Sequence, residues 1–140
     1  MAENFVSNLL IPELLCADFN KSLNFYTEIL GFEIRYDREG GFAMLEREGV
    51  QIMLDQNRSD NWVSGPLEYP YGRGINLQIQ TTSIIDLYES VKKSNARIYL
   101  PLKEEWYQAN EVMLGCLQFI VLDIDGYMLR FSQDIGTKPV

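Results

Sequence analysis

From residue 75 the chain alternates strictly, apolar Ile75, Leu77 and Ile79 against polar Asn76, Gln78 and Gln80, which is the pattern of a strand with one wet face. The period then lengthens. Thr82 or Ser83 stands where a helix needs a cap, Ile84, Leu87, Tyr88 and Val91 form a helical stripe, and Lys92 and Lys93 fall near its C-terminal end, where cations are favoured. Asn95 suits the left-handed residue that closes such a helix. Residues 97–100 read as a strand, and after an irregular stretch 116–122 and 127–132 read as two more, joined at Asp123-Ile124-Asp125-Gly126.

The same order occurs earlier in the chain. Residues 11–16 form a short apolar run, Asp18 is an N-cap for a helix over 19–30 with Phe19, Leu23, Tyr26 and Leu30 on one face, and Gly31 closes it. Strands over 32–36, 42–45 and 50–54 follow, separated by Gly40-Gly41 and by a turn over 46–49. Gly31 and Asn95 are 64 positions apart, Leu23 and Tyr88 are 65 apart, and Val50, Ile52 and Leu54 match Tyr127, Leu129 and Phe131 at 77. The chain is therefore expected to be a mixed α+β fold of two tandem β-α-β-β-β modules, 9–55 and 75–133. Between them a linker over 56–74 is rich in Gly, Pro and Asn.

Composition narrows the chemistry. Among 140 residues there is no histidine, which removes imidazole general bases and most zinc or iron sites. A formal charge of -8 argues against a phosphate backbone or an anionic membrane as partner, since both need a cationic face. Cys16 and Cys116 each sit in apolar surroundings and read as two buried thiols rather than a bridge, so a reduced, cytoplasmic setting is expected. The first residues lack a basic segment ahead of a long apolar run, so neither secretion nor membrane insertion is expected.

Several stretches together carry a family resemblance over residues 10–136: Pro12-Glu13-Leu14 with Asp18, Ser22-Leu23-Asn24-Phe25-Tyr26, Leu30-Gly31-Phe32-Glu33, Tyr71-Gly72-Arg73-Gly74, Glu105-Trp106-Tyr107, and residues 123–131. The chain resembles the glyoxalase/bleomycin-resistance/dioxygenase (vicinal oxygen chelate) superfamily, with Ile124 where the family usually has proline. The resemblance implies paired modules curling into a half-open, mainly antiparallel cup, often completed by a partner subunit, so a homodimer is expected. In the superfamily's enzymes the cup holds a divalent metal through four His, Glu or Gln side chains. Those positions correspond here to Ile11, Met53, Asn76 and Arg130, with Glu13 two residues along the same strand face. Two apolar or thioether chains, one amide and one fixed cation are a poor set for a hard cation, so no metal and no other cofactor is expected. The motifs look most like the metal-free bleomycin-resistance branch.

That resemblance implies a small-molecule binder that sequesters a drug, such as a cationic glycopeptide, in a groove between modules or subunits. Asn76 and Gln78, with Gln118 on a nearby strand, offer neutral donors and acceptors, the alternative being a solvated strand face. Trp62, Trp106 and Tyr107, with Tyr69 and Tyr71, lie in the two irregular segments and could stack on a planar ligand, or pack within an interface between subunits. Glu13 and Arg130 are expected to face one cavity, either as a structural ion pair or with Glu13, or Glu104-Glu105, meeting a ligand cation. Asp123 and Asp125 read as turn residues rather than a calcium loop, which would need more oxygen ligands. Two further classes stay open: a histidine-free enzyme with Glu13 as base and Arg130 stabilising an anion, favoured by a raised carboxyl pKa, and an interaction module whose cup is filled by its own side chains.

Overall fold

In the computed structural model, which describes residues 4–140, the chain runs through two similar series of elements. The first is β1 (Glu13–Cys16), α1 (Phe19–Asn24), β2 (Glu33–Arg38), β3 (Phe42–Arg47) and β4 (Val50–Gln56). The second is β5 (Asn76–Gln80), α2 (Ile84–Lys93), β6 (Arg97–Ala109), β7 (Val112–Leu122) and β8 (Met128–Pro139). The contacts divide them into a unit ending at Tyr71 and a unit spanning Gly72–Val140. Each holds one four-stranded sheet, ordered β1-β4-β3-β2 and β5-β8-β7-β6. In both, the first and last strands pair in parallel and the remaining pairs are antiparallel. This is the α+β class expected.

In the first unit Asp18 caps α1, its carboxylate accepting from the Lys21 N–H at 3.2 Å. The expected single helix over 19–30 is not uniform. After Asn24 the backbone widens into a π-helical segment, Phe25–Ile29, in which the Leu30 N–H reaches the Phe25 carbonyl at 3.1 Å. Lengthening the turn lets the adjacent Phe25 and Tyr26 both turn inward together with Leu30, and all three are buried. Gly31, at φ +81°, ends the helix in a conformation that a side chain would oppose. Strand alternation gives the buried row Leu14, Cys16, Ala43, Leu45, Ile52 and Leu54 on one sheet face.

The second unit repeats this plan. Ile84, Leu87 and Val91 of α2 are buried against a sheet face formed by Ile79, Phe119, Val121, Leu129 and Phe131, and the Tyr88 ring lies 5.0 Å from that of Phe119. Ser83 is the N-cap residue by position. The first helical N–H, that of Ile84, is satisfied by Gln133 Oε1 of β8 at 2.9 Å. Asn95, at φ +60°, follows the helix as expected. In the 123–126 turn, Asp123 Oδ1 accepts from the N–H groups of Asp125 and Tyr127, both at 2.9 Å, so Asp123 is a turn residue.

Three expectations for this unit are corrected. Residues 97–109 form one strand rather than a short strand followed by irregular chain, β7 begins at Val112, and β8 continues to Pro139. The stretch carries Pro101 and the charges Lys103, Glu104 and Glu105, which are uncommon inside a sheet. β6 lies at the sheet edge, however, where proline and charge are tolerated because one side of the backbone needs no ladder partner.

Trp106 is therefore a strand residue, directly opposite Gly115. A Cβ on Gly115 would stand 2.6 Å from the indole ring, the Lys138 ammonium sits 4.0 Å from the ring centroid, and the indole N–H donates to Glu104 at 2.8 Å. Gly115→Ala should therefore cost about 1–3 kcal/mol by overpacking. The same change in a Trp106→Leu background should cost nearly nothing. Urea unfolding of the four proteins of this cycle measures the coupling, and equal costs in both backgrounds would contradict the steric account.

Candidate functional site

With one face of the β5-β8-β7-β6 sheet sealed by α2, the alternate residues are left on the other face. The pairing Gln78 with Arg130, Gln80 and Gln118 with Ser132, and Cys116 with Asp134 lines them up across three strands. Tyr107 and Leu114, paired across the β6-β7 hairpin, extend this face. Together they shape a cavity of about 260 Å³ lined by Gln78, Tyr107, Leu114, Gly115, Cys116, Gln118, Arg130, Ser132 and Asp134.

The polar groups here are held in place. Gln118 is only 4% exposed, and its Nε2 donates to the Tyr107 hydroxyl oxygen at 2.7 Å. The Cys116 thiol faces its Oε1 at 4.0 Å. A buried amide partnered at both ends has one orientation, and it leaves the Tyr107 O–H proton to be offered elsewhere. Arg130 Nε donates to Asn76 Oδ1 at 3.2 Å, which fixes the guanidinium over the β5-β8 pair. The site can present hydrogen-bond donors and acceptors, the Arg130 cation held by Asn76, and the Asp134 carboxylate. Its side chains include no histidine to move a proton near neutral pH.

Of the residues named from sequence, Gln78, Tyr107, Gln118 and Arg130 line this cavity, and Asn76 supports it through Arg130. Trp106 does not line it. As the strand neighbour of Tyr107 it projects to the opposite face, onto Gly115 and Lys138. Trp62 lies in the segment between the modules with its side chain 94% exposed. Glu13 belongs to the first unit, where it pairs with Met53 in the β1-β4 register.

Arg130 and Glu13 each have a local environment within their own unit. Arg130 bonds Asn76. The Glu13 carboxyl is raised above its ordinary 4.5, chiefly by desolvation and secondarily by Asp55, with Arg38 and Arg58 opposing. Asp55 is itself buried and holds Arg58 at 2.9 Å and Asn61 at 3.1 Å. The Glu104-Glu105 run is also engaged, Glu104 with the Trp106 indole and Glu105 with Lys103 at 2.8 Å. Sequence reasoning missed Leu114, Cys116, Ser132 and Asp134 as lining residues. The signal was period-two alternation from Arg130 through Asp134 and back from Gln118 to Leu114. Leu114 and Asp134 lie beyond the expected strands 116–122 and 127–132, while Cys116 and Ser132 fall within them, Cys116 reading as a buried thiol.

The model of the Glyoxalase/Bleomycin resistance protein/Dioxygenase superfamily matches residues 9–131. The chain belongs to this superfamily. A bleomycin resistance protein of Geobacillus stearothermophilus is 29% identical over 136 residues, covering 89% of this chain and 96% of its own length. One from Staphylococcus aureus matches equally. TioX from Micromonospora sp. ML1 superposes with a TM-score of 0.68 at 18% identity, covering 92% of this chain and 100% of that one. The fosfomycin resistance protein FosX from Listeria monocytogenes gives 0.60 at 19% identity and 91% of each chain. At these identities the two structures share the fold.

The superfamily's metal positions can now be tested against the register. Met53 pairs with Glu13 and Arg130 with Gln78, while the Arg130 side chain reaches Asn76, so Ile11 or Glu13 and Asn76 or Gln78 can be taken as their companions. Either reading leaves a fixed cation at Arg130 and a thioether at Met53, while the Asn76 oxygen already accepts from Arg130. This donor set does not fit a hard divalent ion. Among the described residues, no three His, Cys, Asp or Glu side chains gather as a metal site.

A carboxyl raised by folding binds its proton more tightly in the native than in the unfolded chain, so its ionisation costs stability. The cost is absent below the unfolded value, 4.5, and grows as pH rises through the folded one. Glu13→Gln should therefore melt higher than the parent at pH 7, with the gap closing below pH 4.5. Thermal melts by circular dichroism at several pH values measure this. A gap independent of pH would contradict it.

Proposed function

We propose that this protein binds a small amide-bearing drug of the bleomycin class and sequesters it without turnover. The observation that carries the reading is the held Gln118–Tyr107 pair in the cavity of the second unit, a preorganised amide and hydroxyl beside Arg130 and Gln78. The relatives named as bleomycin resistance proteins support the ligand class. Gln78, Gln118, Tyr107 and Arg130 contact the ligand, Asn76 positions Arg130, and the uncovered Trp62 ring is available for stacking. Trp106 contributes through its packing on Gly115.

The reading includes a homodimer in the cytoplasm, bound to neither nucleic acid nor membrane. Exposed Val6, Leu9 and Leu10 near the N-terminus support a subunit contact, and the buried thiols of Cys16 and Cys116 suit a reducing compartment. No helix among the described residues is long and apolar enough to cross a membrane.

Calorimetric titration with metal-free bleomycin tests the binding. Wild-type protein should give saturable heat, and Gln118→Leu should bind about tenfold more weakly, the scale of one lost buried hydrogen bond. Tyr107→Phe serves as a milder companion should the leucine variant lose its fold. No saturable binding by wild type would overturn the assignment. A second reading, turnover with Glu13 as base, is favoured by its raised carboxyl. Mass spectrometry of the drug recovered after incubation separates the two: an unchanged mass supports sequestration, and a modified product lost in Glu13→Gln supports turnover.

A further inference from the structure

Arg130 and Asp134 both line the second-unit cavity, and neither has an ion-pair partner among the described residues. Arg130 spends only Nε, on the neutral Asn76, although the chain carries 20 acidic residues against 12 basic ones. A half-buried guanidinium that lines a cavity and bonds only through Nε has donors without acceptors. Four residues further along the same strand face, the exposed Asp134 offers a carboxylate with no hydrogen-bond partner among the described residues. At strand rise the two Cα atoms stand roughly 13 Å apart, too far for the side chains to neutralise each other readily. Between them lie Ser132 on the same strand and Gln78 and Gln118 on the flanking strands.

We propose that the cavity selects a zwitterionic, amide-linked chain, its oxyanion on Arg130 and its ammonium on Asp134, with the amides between them meeting Gln78, Gln118 and the Tyr107 hydroxyl. The proposal goes beyond the binding reading above and stands on Arg130, Asp134 and the amide-facing groups between them. A cavity of about 260 Å³ lies just below the ~300–1,000 Å³ usual for drug-sized ligands, so it takes a peptide-like portion of a larger molecule rather than the whole. Charge complementarity at two separated points also fixes the direction in which that portion lies.

The test is a titration of the full-length protein, followed by amide-resolved NMR, with triglycine and its two capped forms. N-acetyl-triglycine keeps only the anion, and triglycine amide keeps only the cation. Triglycine should bind about tenfold more tightly than either capped form, the scale of one charge-assisted hydrogen bond, with shifts centred on β7 and β8. Arg130→Gln should erase the preference for a free carboxylate and keep that for a free amine, and Asp134→Asn should do the reverse. Equal binding of all three peptides, shifts centred elsewhere, or no shift up to 50 mM triglycine would overturn the proposal. Metal-free bleomycin titrated into the same samples separates the two ideas. If bleomycin binds and the peptides do not discriminate, charge-pair selection fails and drug binding stands; if the peptides discriminate and bleomycin does not bind, the reverse holds.

Discussion

Strand alternation sets the terms for everything else in each unit. Once Ile84, Leu87 and Val91 press one sheet face and bury Phe119, Phe131 and Leu129, every second residue must appear on the other face. Gln78, Gln118, Arg130 and Ser132 are brought together by that parity and not by nearness in sequence. A slip of one residue in any strand would send the polar row into the helix-sealed core, so the apolar packing on one side enforces the register of the site on the other.

The two modules use this constraint differently. In the first, the free face is covered in part by the N-terminal segment: Gln51 donates to the Val6 carbonyl and accepts from the Asn8 N–H, and Phe5 meets the Tyr36 ring edge-on at 5.5 Å. Glu46 joins the same network through Gln51 and Arg35. In the second, the equivalent face stays open around a cavity. Both modules keep the helix and the strand order and diverge on the face that the helix does not need, where substitution costs the core nothing.

Chemistry follows from which side chains were left there. Met53 and Arg130 occupy corresponding places in the two registers, opposite Glu13 and Gln78. A thioether and a guanidinium in these places suit packing and anion recognition rather than cation coordination. The buried Gln118, oriented by Tyr107, adds directional contacts at little entropic cost on binding because it is already held. These properties favour recognition by hydrogen bonds and charge.

The sequence alone determined the duplicated order of elements, the helix caps at Asp18, Gly31 and Asn95, the wet face of the Asn76–Gln80 strand and the poor metal chemistry of the donor set, because each depends on local periodicity, backbone preference or residue type. It also named Gln78, Gln118, Tyr107 and Arg130. Tertiary structure decided the rest. Only pairing with β7 could show that the charged, proline-bearing 97–109 stretch is an edge strand, which sends Trp106 and Tyr107 to opposite faces. Likewise only the β1-β4 and β5-β8 registers could place Glu13 beside Met53 and Gln78 beside Arg130, since strand register is a long-range property that no local pattern encodes.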